Sequence, residues 1–91
     1  MLLTLNILKK VFLDVIEEKK TFEEASSWAY ERIQENEVGK LELDSSEDRS
    51  KIFSGLTYLL GVDLLESPGE YFHSIQNVRD EFDELFNKIH R

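Results

Sequence analysis

The side chains of this 91-residue chain that could do chemistry are two histidines, a scatter of serines and nineteen acidic residues. A histidine works as a general base only beside a nucleophile or an orienting acid. His73 is followed by Ser74, but that serine stands where a helix cap is needed. Neither His73 nor His90 has a carboxylate or a second histidine at the four-residue spacing that builds a helical metal site; His73 is followed there only by Asn77. Carboxylate pairs such as Glu23 with Glu24, or Asp80 with Glu84, need burial to move their pKa values apart before they can share acid–base work, and both fall on predicted wet faces. The P-loop, G-x-G-x-x-G and H-E-x-x-H patterns are missing. With no cysteine, the chain has no thiol nucleophile, thiolate metal site or disulfide framework. The expectation is a protein with no enzymatic activity, no cofactor and no metal.

What remains is charge. Nineteen acidic against eleven basic residues give a formal net charge of −8, which disfavours neutralising nucleic-acid phosphates and favours a cationic partner. The plainer use of such a charge is solubility. A helix-turn-helix reading fails the same test, because the outward face of the last predicted helix carries Asp80, Asp83 and Glu84 where a recognition helix needs Arg, Lys, Asn or Gln. A second acidic stretch, QENEVGKLELDSSED over 34–48, holds Glu35, Glu37, Glu42, Asp44, Glu47 and Asp48. Its oxygens do not follow the alternate spacing about a central glycine that a calcium loop requires.

These residues must be carried by a fold. Ninety-one residues make one domain, 1–91, that buries roughly 60–65% of the unfolded surface. Hydrophobic residues at 41%, with six Phe, three Tyr and one Trp, are too many for a disordered acidic tail. From Ser74 to Ile89, the residues Ile75, Val78, Phe82, Leu85 and Ile89 repeat at three and four, with Phe86 widening the stripe, which predicts an amphipathic helix. Leu5, Leu8, Phe12 and Val15, joined by Val11 and Ile16, predict another from about Leu3 to Glu18. Leu2, Leu3, Ile7 and Leu13 widen its face, which calls for a helix covered on two sides or, as the alternative, a dimer seam. Lys9, Lys10 and Asp14 interrupt the apolar run, so it is too short to span a membrane, and a basic leader region and cleavage site are both missing.

Thr21 and Glu24 form a T-x-x-E capping box that opens the next helix after a short turn. Its inner face is Phe22, Ala25, Ala29 and Ile33, with Trp28 beside them as a core residue and small Ala25, Ser26 and Ala29 permitting close approach. Gly39 breaks it, and 34–48 reads as a loop in which the alternation of Leu41 and Leu43 is too short to pair with another segment; Ser45 or Ser46 is the next cap. A third helix from about Glu47 to Leu60 turns Ile52, Phe53, Leu56, Leu59 and Leu60 inward and stops at Gly61, a residue suited to the left-handed cap. Ser67-Pro68-Gly69-Glu70 then reads as a helix start, with Tyr71 and Phe72 in a short helical turn before Ser74 or in one helix continuous from Pro68. The fold class expected is all-α: a small antiparallel bundle of four main helices with a short extra helical turn before the last.

The opening LNILKKVFLDVIEEKKTFEEASSWAYERI, a helix, a charged turn and a T-x-x-E-capped second helix, resembles the start of small bacterial immunity proteins of the colicin D type. The later GVDLLESPGEYFHS, before a final acidic helix, is similar to a pattern in small proteins often of that sort. Together these cover about half the chain. The resemblance implies a helical bundle that binds and neutralises a cognate toxin, typically a basic nuclease domain delivered by a bacteriocin or a contact-dependent growth inhibition system; the absence of cysteine and of a leader pattern makes the expected location cytoplasmic. The contact surface expected is Glu35, Glu37, Asp44, Glu47 and Asp48 together with Asp80, Asp83 and Glu84, with no nucleic acid and no membrane as partner. An acidic adaptor that homodimerises through its first helix is the alternative.

Overall fold

The computed structural model describes residues 2–39, 41–43, 49–67, 70–71 and 74–87. Four helices form a small all-α bundle: α1 (Leu5–Ile16), α2 (Phe22–Glu37), α3 (Arg49–Leu60) and α4 (Ile75–Phe82), the last running on as a π-helical turn over Asp83–Asn87. Two ladders of very short strands join them: β1 (Leu2–Leu3) pairs in parallel with β2 (Glu42–Leu43), and β3 (Leu65–Ser67) pairs antiparallel with β4 (Glu70–Tyr71).

Helix starts follow local chemistry. Thr4 caps α1, its hydroxyl accepting from the Ile7 N–H at 3.1 Å. At α2 the expected capping box is complete: the Thr21 hydroxyl accepts from the Glu24 N–H at 3.0 Å, and the Thr21 N–H donates to the Glu24 carboxylate at 2.9 Å. The last helix begins at Ser74, where Asn77 takes the reciprocal role and its Oδ1 accepts from the Ser74 N–H at 2.9 Å. Glu18 closes the turn after α1 at φ 61°, the left-handed region in which a side chain is disfavoured.

Fully buried Leu3, Leu8, Phe12, Val15, Ala25, Ala29, Ile52, Leu56, Leu59, Val62 and Val78 make one core. α2 packs chiefly on α3, and α1 chiefly on α4. The small face of α2 does what its residues permit, since the buried Ser26 hydroxyl donates to the Leu60 carbonyl at 2.7 Å and ties α2 to the end of α3. Trp28 is half-buried and packs against the core. α1 and α3 meet at Gly55, where a Cβ would lie 2.6 Å from Leu8 Cδ2. Aromatic rings fix α4: Phe12 lies 6.1 Å from Tyr58, 6.5 Å from Phe82 and 5.7 Å from Phe86, centroid to centroid.

Several expectations need correction. Leu2 and Leu3 are extended, so α1 starts at Leu5. Leu3 pairs with Leu43, where an unpaired loop was expected; the alternation of Leu41 and Leu43 does mark a strand residue, whose partner lies about forty residues away in sequence. Residues 34–37 are the last turn of α2, which places Glu35 and Glu37 on a helix. Gly39 has the left-handed φ, at 74°, whereas Gly61 does not, and α3 ends in a tighter turn with Gly61 N–H on the Tyr58 carbonyl and Val62 N–H on the Leu59 carbonyl. Tyr71 belongs to a strand where a short helical turn was expected, and no helix continues from Pro68 into the Ser74-capped α4. Ser45, Ser46, Glu47, Pro68, Gly69, Phe72 and Ile89 lie outside the described residues.

Candidate functional site

The predicted contact residues divide into two groups carried by different helix pairs, α2 on α3 and α4 on α1. On α2, Glu35 is half-buried and its Oε2 stands 3.1 Å from Arg32 Nη2, which also meets Glu31 at 3.2 Å. The Arg32 side chain is only 12% exposed, and its guanidinium lies over Trp28, 5.5 Å from the ring centroid. The other Glu35 oxygen and the Arg32 Nε are buried without a hydrogen-bond partner, so Glu35 is held inside a local network. Glu37 is exposed at the end of α2. Asp44, Glu47 and Asp48, with His73 and His90, lie outside the described residues.

On α4 the geometry differs. Asp80, Asp83 and Glu84 are all exposed, and the Asp80 carboxylate accepts from Gln76 Nε2 at 3.0 Å one turn earlier. Residues 75–87 contain four carboxylates, Asp80, Glu81, Asp83 and Glu84, against one arginine, Arg79. A second cation borders them from α1, Lys9, whose ammonium is 5.9 Å from the Phe82 ring centroid. The structure therefore groups the three α4 residues on one face and leaves the α2 residues elsewhere.

Glu81 was missed by the sequence reading. It follows the buried Val78 by three residues and precedes the buried Leu85 by four, so it flanks the core stripe and is half-buried, a placement its spacing already encodes. Beside it, a shallow groove of about 580 Å³ runs between α3 and α4, lined by Ser50, Phe53, Ser54, Thr57, Tyr58 and Glu81. Burial pushes the Tyr58 phenol up to about 12, and the negative charges of Glu81 and Asp80 push in the same direction. Tyr58 therefore stays a neutral phenol at physiological pH and is unfit as a phenolate nucleophile.

A second cleft, of about 460 Å³, has Val15, Phe22 and Ile75 among its lining, with Thr21 and Ser74 at its edge. Both hydroxyls there already cap helices. The Thr21 N–H and hydroxyl hold the Glu24 carboxyl below its ordinary range by hydrogen bonding to the ionised form. Among the described residues, no group of three His, Cys, Asp or Glu is placed to hold a metal ion, and no helix is long and apolar enough to cross a membrane. No protein-family model, curated protein or solved structure matches the chain. What the described residues present chemically is exposed negative charge along α4.

Proposed function

We propose that this chain is an immunity protein that binds a cationic toxin domain, a basic nuclease being the partner best suited, and neutralises it in the cytoplasm without catalysis. The observation that carries the reading is the α4 face: Asp80, Asp83 and Glu84 exposed along a capped helix whose inner side is pinned by Phe12 and Phe82. Negative potential on a rigid scaffold speeds encounter with a positive cleft and fixes its orientation. The resemblance of the first two helices to colicin D-type immunity proteins points the same way. Glu37, exposed at the end of α2, is a second candidate contact apart from the α4 face, and Glu35 contributes less, being committed to Arg32.

Binding of this kind weakens steeply as salt rises, because rim charges act through a screened field. The test is to co-express the chain with the product of the neighbouring reading frame and to measure growth and affinity. Protection that survives Asp80→Lys, Asp83→Lys and Glu84→Lys together would rule this face out as the contact. The rival reading, an adaptor dimerising through α1, has less surface to use than the sequence suggested. Leu3 is fully buried in its own fold, Ile7 and Leu13 are partly buried against the core, and Leu2 at 47% is the exposed member. A stable dimer in sedimentation, lost on Leu2→Asp, would restore it.

A further inference from the structure

We propose that Arg79 takes one carboxylate of the protein partner at the seam between α1 and α4, and so fixes how that partner is turned about the α4 axis. This rests on the immunity reading above and adds, beside a face that seeks cations, the one point at which the partner must be acidic.

Arg79 is exposed on α4, with Asp80 next to it and Asp83 one turn on, yet among the described residues it forms no ion pair. Both neighbours are engaged apart from it: the Asp80 carboxylate accepts from Gln76 at 3.0 Å, and Asp83 has an interaction of its own. Arg32 on α2, by contrast, meets two carboxylates within 3.2 Å. A guanidinium that its own helix leaves unanswered offers its fork of donors to another chain.

The position of Arg79 selects what it takes. On a helical projection it lies at the edge of the outer face next to Ile75 and Phe82, whereas Asp80 and Glu84 fall toward the other edge. A groove of about 400 Å³ opens at that edge, lined by Leu13 and Ile16 of α1 and by Gln76, Arg79, Phe82 and Asp83. Lys9 already stands over the Phe82 ring, so the apolar wall open to a ligand is the half-buried Leu13. A glutamate of the partner matches these features, its methylenes against Leu13 and its carboxylate on the guanidinium fork. The charge of Asp83 on the same groove limits the site to a single acid. A nucleic-acid strand would bring successive phosphates against Asp80, Asp83 and Glu84, and a basic side chain would meet Arg79 itself.

Summed charge alone predicts the opposite sign, since removing a cation from an acidic face should tighten a cationic partner. One substitution therefore decides. The probe is the toxic domain encoded by the neighbouring reading frame, titrated by calorimetry into the full chain. Arg79→Glu should weaken it about fiftyfold and Arg79→Gln about tenfold, with Arg79→Lys in between wild type and Arg79→Gln. Lys51→Glu makes the same charge change at an exposed position on α3 and should not weaken binding. Urea melting of the Arg79 variants should match the wild type, and Arg79→Gln keeps the test valid if Arg79→Glu disturbs the helix end. Reversing one carboxylate of the toxic domain to Arg should restore affinity for Arg79→Glu. Unchanged or tighter binding of Arg79→Glu, an equal loss in Lys51→Glu, or restoration by none of the reversed carboxylates would overturn the inference. A toxic domain that ignores Arg79→Glu but is lost on the triple lysine reversal removes the Arg79 contact and leaves the acidic face; one that does not bind the wild type removes both.

Discussion

Arg32 on α2 sits within 3.2 Å of Glu31 and 3.1 Å of Glu35 and lies over Trp28, whereas on α4 four carboxylates share thirteen residues with a single arginine. The two regions are similar in acidic composition and differ in exposure, Glu35 being half-buried where Asp80, Asp83 and Glu84 face water. On α2 the negative charge is answered within one turn and partly withdrawn from water, so it serves the helix and its tryptophan. On α4 the exposed carboxylates are spread along the outer side of a helix whose inner side is aromatic. Counting acids therefore overstates a docking surface, because an acid half-buried against a cation, as Glu35 is against Arg32, presents less of its charge to a partner than one on an exposed face.

The comparison breaks most completely if α4 loses its footing. Phe12→Ala removes the ring that touches Tyr58, Phe82 and Phe86, and should cost about 3–5 kcal/mol in urea unfolding. Hydrogen exchange should then show α4 amides opening before those of α2; simultaneous opening would mean the aromatic cluster does not position the acidic helix.

Reversal of Asp80, Asp83 and Glu84 to Lys comes next, with an expected loss of about a hundredfold in partner affinity in calorimetry and little change in stability. Arg32→Met acts on the opposite side of the comparison. It leaves Glu35 half-buried without its cation, so stability should fall by about 1–2 kcal/mol while partner affinity stays level. An affinity loss matching that of the α4 reversal would place α2 in the contact after all.

The smallest effect concerns pH. Tyr58 has a folded pKa raised from 10.0 to about 12, so the unfolded chain ionises first and stability present below pH 10 is lost as pH climbs through that window. Solvent screening of a half-exposed ring limits the loss to about 1 kcal/mol. Denaturant melts at pH 9 and pH 11.5 should show it in the native chain and not in Tyr58→Phe.

Much of this architecture is legible residue by residue. Thr21 with Glu24 marks a helix start because both halves of a capping box are local, and Arg32 is one turn from Glu35, so their pairing is legible in the spacing too. Glu81 was recoverable from its place between Val78 and Leu85. The misreadings share a cause. Leu2–Leu3 and Glu42–Leu43 are two-residue strands that pair with each other across the fold, and Tyr71 is extended through its pairing with Leu65. Neither pairing can be read within a window of sequence.

From the amino-acid order alone follow four amphipathic helices, their capped starts, a negative net charge and the outward placement of Asp80, Asp83 and Glu84, because periodicity and capping depend on neighbours within a few residues. Tertiary packing decided the rest: which helices pair, that Leu3 lies inside, and that hydroxyls of α3 stand opposite Glu81 of α4 across one groove. Those are relations between segments distant in the chain, settled by burial of a shared apolar core that local spacing does not encode.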